Sequence, residues 1–306
     1  MVTPFEPDSG NIDFAGLRRL LQYHVEAGTD NLCILGTTGE AGVLSMAERE
    51  QVLNVAVEQV KGKLPIMVGC GTINPASVKA MVQQAIDCGC DAALIVTPYY
   101  VKPPQRCLIR HFTDAAAHDL PVVMYNVPGR TAVDMSDESI ALCASLHENI
   151  VEVKDATGKL ARVAALREQL AVVAAANAAS ATNVPNKDFL LYSGDDATSI
   201  DIVLQGGDGC ISVTANVAPN AMHRLMAAAL QGDGPSAAAL NDPLRLLHER
   251  LFCEANPIPV KYAVSRMLGG SMEVSAYCRP PLDSLDASYE SAVDGALRQA
   301  GLFVEE

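Results

Sequence analysis

The stretch Ile150-Val151-Glu152-Val153-Lys154-Asp155-Ala156-Thr157-Gly158 puts an amine where a short β-branched run ends and turn residues begin. A lysine at the C-terminal end of a buried strand is costly unless it is paired or partly neutral. Neutral amines attack carbonyls, so the position suits Schiff-base chemistry. A structural lysine whose stem packs while its head reaches water explains the same segment. The preceding apolar run ends Tyr125-Asn126-Val127-Pro128-Gly129-Arg130-Thr131. Neighbouring strands lie about 4.8 Å apart, so Tyr125 can serve Lys154 as an acid/base partner. Arg130 offers a two-pronged guanidinium for a carboxylate, or an ordinary surface salt bridge.

Other strand ends carry weaker signals. Gly36-Thr37-Thr38-Gly39-Glu40 supplies hydroxyls and amides that hold a carboxylate or relay a proton, and it is equally an ordinary strand-to-helix turn. Thr97-Pro98-Tyr99-Tyr100 offers either a phenol relay or packing aromatics. In Ser193-Gly194-Asp195-Asp196, Gly194 suits a close approach to a ligand. The paired aspartates read as a helix cap rather than a metal site. Cys88 and Cys90 form a CxC without matching ligands elsewhere, a poor metal site.

These residues need a scaffold that presents strand ends on one side. Short apolar runs recur at Asn31–Leu35, Ile66–Gly69, Ala92–Val96, Val122–Tyr125, Ile150–Val153, Phe189–Tyr192 and Gly209–Val213, with a residual first strand at Val2-Thr3-Pro4. Between them lie amphipathic helical patterns at Phe14–Ala27, Met46–Val60, Pro75–Cys88, Pro104–His118, Asp137–Leu146, Leu160–Leu170, Thr198–Gln205 and Pro219–Gln231. Strict alternation implies a parallel sheet. The α/β pattern fits a closed (β/α)8 barrel over residues 1–232, whose chemistry sits at the C-terminal strand ends, with a doubly wound sheet as the structural alternative. Residues 233–306 carry helical patterns without alternating strands and read as a small C-terminal helical domain.

Composition narrows the function further. The chain has 306 residues, 49% of them apolar, and a formal net charge of −14. It can bury a sizeable core, and the absence of a basic cluster argues against nucleic acid and anionic membranes as partners. An acidic protein that binds acidic metabolites must gather local positive charge at its site. The cysteines are scattered and odd in number, nine in all, without a CxxC pair, which suits a reducing compartment and no disulfide framework. The start, Met1-Val2-Thr3-Pro4, lacks a secretory pattern, and Gln169–Asn186 is too rich in Ala, Asn, Ser and Thr to span a bilayer. The compartment expected is the cytoplasm, or a plastid stroma if a transit peptide has been removed.

Taken in order, these segments resemble the dihydrodipicolinate synthase family of class I aldolases. The resemblance runs from Val2-Thr3-Pro4 to Gly301-Leu302 and includes the tail motif Asn256-Pro257-Ile258-Pro259-Val260-Lys261. It implies that Lys154 forms a Schiff base with pyruvate and that Tyr125 is the general acid and base. Thr37 would link Tyr125 to a Tyr100 reaching in from a neighbouring subunit, and the Thr37–Thr38 region would hold the pyruvate carboxylate. Arg130 would bind the carboxylate of L-aspartate-4-semialdehyde, and Gly194 and Ile211 would line the pocket. The implied reaction condenses the two substrates in the diaminopimelate route to lysine. The implied enzyme needs no cofactor or metal and is a homo-oligomer, a dimer of dimers.

The nearest alternative is a sister aldolase for N-acetylneuraminate or a keto-deoxy sugar acid; Arg130 and its Asn-Val-Pro context favour the synthase. A non-catalytic barrel acting as a scaffold or metabolite sensor would retain no need for Lys154, Tyr125, Thr37 and Tyr100 together. Two departures from the family pattern stand out. The first strand is short, and the chain begins at its end. The link between Lys154 and Ser193 is longer than the family pattern by roughly 15 residues, with the surplus at Ala171–Lys187, before a strand and so on the face away from chemistry. Lysine-sensitive relatives carry polar groups and histidine just after the Thr37–Glu40 turn. Ala41, Met46 and Arg49 stand there instead, although Tyr99 is retained, so lysine inhibition is expected to be weak.

Overall fold

A computed structural model of the chain describes residues 1–180, 188–267 and 272–303. Seven strands follow one another through the sheet in chain order: β1 (Leu32–Ile34), β2 (Ile66–Gly69), β3 (Ala92–Val96), β4 (Val122–Asn126), β5 (Ile150–Asp155), β6 (Leu190–Ser193) and β7 (Gly209–Cys210). From β2 to β7 each neighbouring pair is parallel. Parallel pairing needs a crossover, and a helix fills each one. The chain divides into two compact units, one of residues 1–66 and 212–306, the other of residues 67–211.

The first unit carries β1 with α1 (Phe14–Ala27) and α2 (Met46–Val60). Asp13 caps α1 by accepting from the Gly16 amide, and Gly28 closes it at φ 77°. At the start of α2, Ser45 and Glu48 satisfy each other's amides in a capping box. The later part of the same unit is helical: α9 (Pro219–Leu230), α10 (Gly234–Asn241), α11 (Arg245–Arg250), α12 (Ile258–Arg266) and α13 (Ala287–Gln299). Its interior includes a buried ion pair, Lys261 Nζ to Glu40 Oε1 at 2.5 Å. The Phe5 ring lies against both Lys261 and Arg279, at 4.3 and 4.4 Å from its centroid.

The segment Val2-Thr3-Pro4 forms no strand. The N-terminal amine donates to the Cys33 carbonyl, the Val2 amide to Asn216 Oδ1 at 2.9 Å, and the Thr3 hydroxyl to the Gly39 carbonyl at 2.7 Å. Pro4 has no amide hydrogen to continue a ladder, and the chain folds back through an antiparallel bridge between Phe5 and Ile12.

The second unit holds the rest of the strands with α3 (Pro75–Asp87), α4 (Gln105–Ala116), α5 (Pro128–Thr131), α6 (Asp137–Leu146), α7 (Ala161–Ser180) and α8 (Ser199–Leu204). Asn74 and Ser136 cap α3 and α6. Two elements differ from the sequence reading. Helix α7 continues to Ser180 rather than stopping at Leu170, because the alanine-rich run after Leu170 holds no glycine or proline to end it. The surplus segment Ala171–Lys187 thus begins as a helical extension; residues 181–187 lie outside the described residues. Strand β7 has two residues instead of the five from Gly209 to Val213, since Val213 already adopts helical dihedrals and starts a 3-10 turn at Thr214–Asn216.

One irregularity sets the phase of the sheet where it matters. Val122 pairs with Ile150, but Val123 pairs with Glu152, so Val151 is a bulged extra residue on β5. Side chains alternate faces along a strand, and a one-residue slip exchanges them. The bulge therefore brings Lys154 opposite Tyr125; an unbroken ladder from Val122–Ile150 would set Val153 there.

Candidate active site

Lys154 lies at the downstream end of β5, with Tyr125 on β4 and Tyr192 on β6 as its register partners. Its Nζ stands 4.4 Å from the centroid of the Tyr125 ring. Tyr125 is buried. The ring quadrupole attracts a cationic nitrogen, and the phenol belongs to the same side chain. Gly194, directly after β6, closes on the lysine stem. A Cβ at that position would lie 2.9 Å from Lys154 Cε and 2.8 Å from Ala156 Cβ, closer than side chains pack. Only the absence of a side chain lets the lysine occupy its place.

The opposite face of these strand ends is braced by charge. Asn126 donates to Asp134 Oδ1 at 2.8 Å and to Asp155 Oδ1 at 2.9 Å, and accepts from the Met135 amide. Arg162, at the start of α7 and buried, reaches Asp134, Asp137 and Asp155 at 2.8, 2.9 and 3.4 Å. Burial raises the Asp137 carboxyl, the Arg162 guanidinium pulls it down, and the carboxylates of Asp155, Glu138 and Asp134 add to the rise, so it sits above the usual range. This cluster ties β4, β5 and the loop after α5 into one rigid piece. The alternation of strands sends Asn126 and Asp155 to the brace and Tyr125 and Lys154 to the chemistry.

Arg130 is exposed on α5, a single turn held by Thr131, whose hydroxyl donates to the Val127 carbonyl and accepts from Thr97 at 3.2 Å. Ile211 is buried, and its amide donates to the Ser193 carbonyl at 2.9 Å. Tyr100 is 86% exposed at φ 70°, beside exposed Tyr99 and Val101. The structure thus brings Tyr125, Lys154 and Gly194 together; Arg130 on α5 and Tyr100 on a loop stand beyond the strand ends. In the first unit, Thr37 and Thr38 form a 3-10 turn with Gly39, and Asn256 donates to the Thr38 hydroxyl at 2.9 Å. Asp195 accepts from the Thr198 amide and hydroxyl, in the turn just before α8. Among the described residues, no three His, Cys, Asp or Glu side chains gather as a metal site would require.

Sequence reasoning missed two features. The brace around Arg162 is scattered over three segments and left no local pattern. Glu152 left one: it is the lone charge in a β-branched run, two residues before Lys154 and so on the same face. It is buried, and its Oε1 has no hydrogen-bond partner among the described residues. Burial, against the pull of Lys154 and with the push of Asp208, raises its carboxyl to about 8.

A parallel α/β sheet that sets a lysine amine against a tyrosine at its strand ends is the layout of an enzyme using a covalent lysine intermediate. The sequence pattern of the dihydrodipicolinate synthetase family matches residues 1–300. A 4-hydroxy-tetrahydrodipicolinate synthase of Methylococcus capsulatus is 43% identical over 99% of this chain and 97% of its own. The enzyme of the same name from Pseudomonas aeruginosa is 41% identical over the same shares. Among solved structures, the chloride-inhibited dihydrodipicolinate synthase of Acinetobacter baumannii complexed with pyruvate superposes with a TM-score of 0.90 at 40% identity, covering 99% of this chain and 97% of that one. The lysine-bound enzyme of Cyanidioschyzon merolae gives 0.89 at 32% identity, over 99% and 97%. The chain belongs to the dihydrodipicolinate synthetase family and is a lyase of the class I aldolase type.

Proposed function

We propose that this enzyme condenses pyruvate with L-aspartate-4-semialdehyde, as a 4-hydroxy-tetrahydrodipicolinate synthase. The observation that carries the reading is the register of Tyr125 against Lys154, with the amine 4.4 Å from the ring. The Lys154 amine adds to the pyruvate carbonyl and water departs, leaving an iminium. The iminium draws electrons from the methyl group, which loses a proton to become an enamine. The enamine carbon attacks the aldehyde while Tyr125 moves protons to and from the reacting oxygens. Ring closure by the amine of the second substrate then expels Lys154. No metal or cofactor enters this scheme, since the iminium itself is the electron sink.

Arg130 is suited to the semialdehyde carboxylate by its exposed place beyond the strand ends, and Gly194 and Ile211 to lining the lysine. The relay role of Thr37 and the carboxylate role of Thr38 come with the family pattern; Thr37→Val and Thr38→Val test them separately. Tyr100 acts on the site of a neighbouring subunit. Its exposure beside Tyr99 and Val101 supports a homo-oligomer, a dimer of dimers. We place the catalytic barrel in residues 1–232 and a helical domain in 233–306, with the Met1–Thr3 segment standing in for the eighth strand. Its bonds to Cys33 and Asn216 support that closure. The nine free thiols suit the cytoplasm. Weak lysine inhibition belongs to the same reading, and saturable tight binding by calorimetry would remove it.

The test is borohydride trapping with pyruvate followed by mass spectrometry, beside a coupled condensation assay. Trapping at Lys154, lost together with turnover in Lys154→Ala, is the expected result. An adduct on another lysine in that variant would sink the assignment.

A further inference from the structure

Glu152 has no part in the scheme above, yet its placement is costly. A carboxyl buried to this degree with an unpartnered oxygen destabilises the fold unless it is used. It shares a face of β5 with Lys154, and two residues along a strand span roughly 6.6 Å. On β4 its register partner is Val123, with Tyr125 further along. On β6 it faces Leu190, with Tyr192 beyond. Before β7, Asp208 is held by Arg167 at 2.5 Å and by the Leu191 amide at 2.7 Å. Beyond Asp208, the Cys210 thiol donates to Asp196. Of the cations that these elements bring near, Arg167 is taken up by Asp208, and Lys154 is the one whose charge acts on the Glu152 carboxyl.

We propose that Glu152 is the internal counter-ion of the iminium on Lys154, a neutral acid while the lysine nitrogen is an amine and a carboxylate once that nitrogen is a fixed cation. The inference rests on the Schiff-base reading. The step balances without another reactant. Starting from the neutral amine, a carbon–nitrogen bond forms to the pyruvate carbonyl carbon. The carbon–oxygen bond breaks, and the oxygen leaves as water with one more proton than the amine can supply. Glu152 passes that proton on through the Lys154 nitrogen and keeps the negative charge. The iminium is then neutralised inside the protein rather than by solvent. When the enamine forms, the nitrogen becomes neutral again and the carboxyl takes a proton back. Glu152 is a positioning residue in this account, since it acts through Lys154 and not on substrate. A carboxyl raised to about 8 agrees with a resting neutral form, because burial keeps the acid protonated against the pull of Lys154.

The experiment is a difference infrared spectrum at pH 7 of enzyme labelled with carboxyl-13C glutamate, with and without pyruvate. The same sample is afterwards trapped with borohydride. Wild-type enzyme is expected to lose a protonated-carboxyl band and gain a carboxylate band as the adduct forms. Lys154→Ala is expected to show neither change. Glu152→Gln and Glu152→Leu are each expected to lack the protonated band, and either one that folds assigns it. The label confines the signal to glutamates, so the wild-type spectrum decides even without a variant. A trapped adduct at Lys154 with no change in any protonated glutamate overturns the counter-ion and leaves the Schiff base standing. No adduct at Lys154 overturns both.

Discussion

Substituting Gly194 by alanine isolates how tightly the lysine is positioned. Gly194 has ordinary backbone dihedrals, so the added methyl acts only through what it touches. It would meet Ala156 Cβ at 2.8 Å, Lys154 Cε at 2.9 Å and Lys154 Cγ at 3.2 Å. Carbon atoms pack best at about 3.5–4.0 Å, so the first two contacts are short by more than half an ångström. Ala156 is fixed by its backbone, whose amide donates to the Asn126 carbonyl, and the flexible lysine stem gives way instead. Overpacking of this kind costs about 1–3 kcal/mol, and the yielding stem puts the stability loss near the lower figure. The kinetic cost is larger. Moving a reacting group by about 1 Å lowers the rate on the order of a hundredfold. The coupled condensation assay should therefore show a kcat loss of about that size, with borohydride trapping slowed in parallel and a melting temperature lowered by only a few degrees. Gly295→Ala is the control, because its methyl enters open space on helix α13 and should leave the rate unchanged. A Gly194→Ala enzyme within threefold of wild type would show that the lysine stem is not held by this contact, and the argument for Gly194 would fail.

Arg130→Ala should raise KM for the semialdehyde by tenfold or more while leaving pyruvate imine formation near wild type; equal loss of both would assign Arg130 to the fold. Lys261→Met leaves Glu40 buried with one partner fewer, and breaking such a pair costs about 3–5 kcal/mol in urea unfolding. The double variant Lys261→Met with Glu40→Gln should recover part of that loss, and no recovery would mean that the charge pairing is not the cause. Glu152 gives a pH signature. Its carboxyl is ordinarily near 4.5 and is raised to about 8 by burial, so between these values the unfolded chain ionises while the folded protein does not. Stability is therefore full below 4.5 and falls as pH rises through 8, by about 5 kcal/mol. Glu152→Gln should flatten that decline in thermal melts from pH 5 to 8, and an unchanged slope would contradict the burial argument.

Much of the scaffold is legible in the sequence because its boundaries are chemical. Helices α1, α2 and α6 begin and end where the periodic pattern does, and each opens on a side-chain cap, Asp13, Ser45 or Ser136. That the strands of Tyr125 and Lys154 are neighbours follows from strand order, while their register depends on the bulge. The errors arise where the deciding partner is distant in the chain. Pro4 does not lengthen a strand because Asn216 and Cys33 satisfy that segment by other bonds. Helix α7 overruns because nothing in its alanine-rich continuation stops it. Glu152 reads as a stray charge until its burial is known, and the hub at Arg162 draws on carboxylates from three segments. The bulge at Val151 is invisible to any pattern of types, since valine is at home in a regular strand and in a bulged one.

That bulge makes the strand tolerant of length on one side and intolerant on the other. The surplus residue is absorbed upstream of Glu152, so the alignment of β5 with β4 is anchored at its downstream end. A chain shortened by Val151 would close the ladder and still set Lys154 opposite Tyr125. A residue gained or lost between Glu152 and Lys154 would instead turn the lysine toward the Arg162 brace and an aspartate toward the substrate. Lineages of this enzyme, and designers working on it, can therefore vary the entrance to the strand freely while its residues from Glu152 to Asp155 must be inherited as a block.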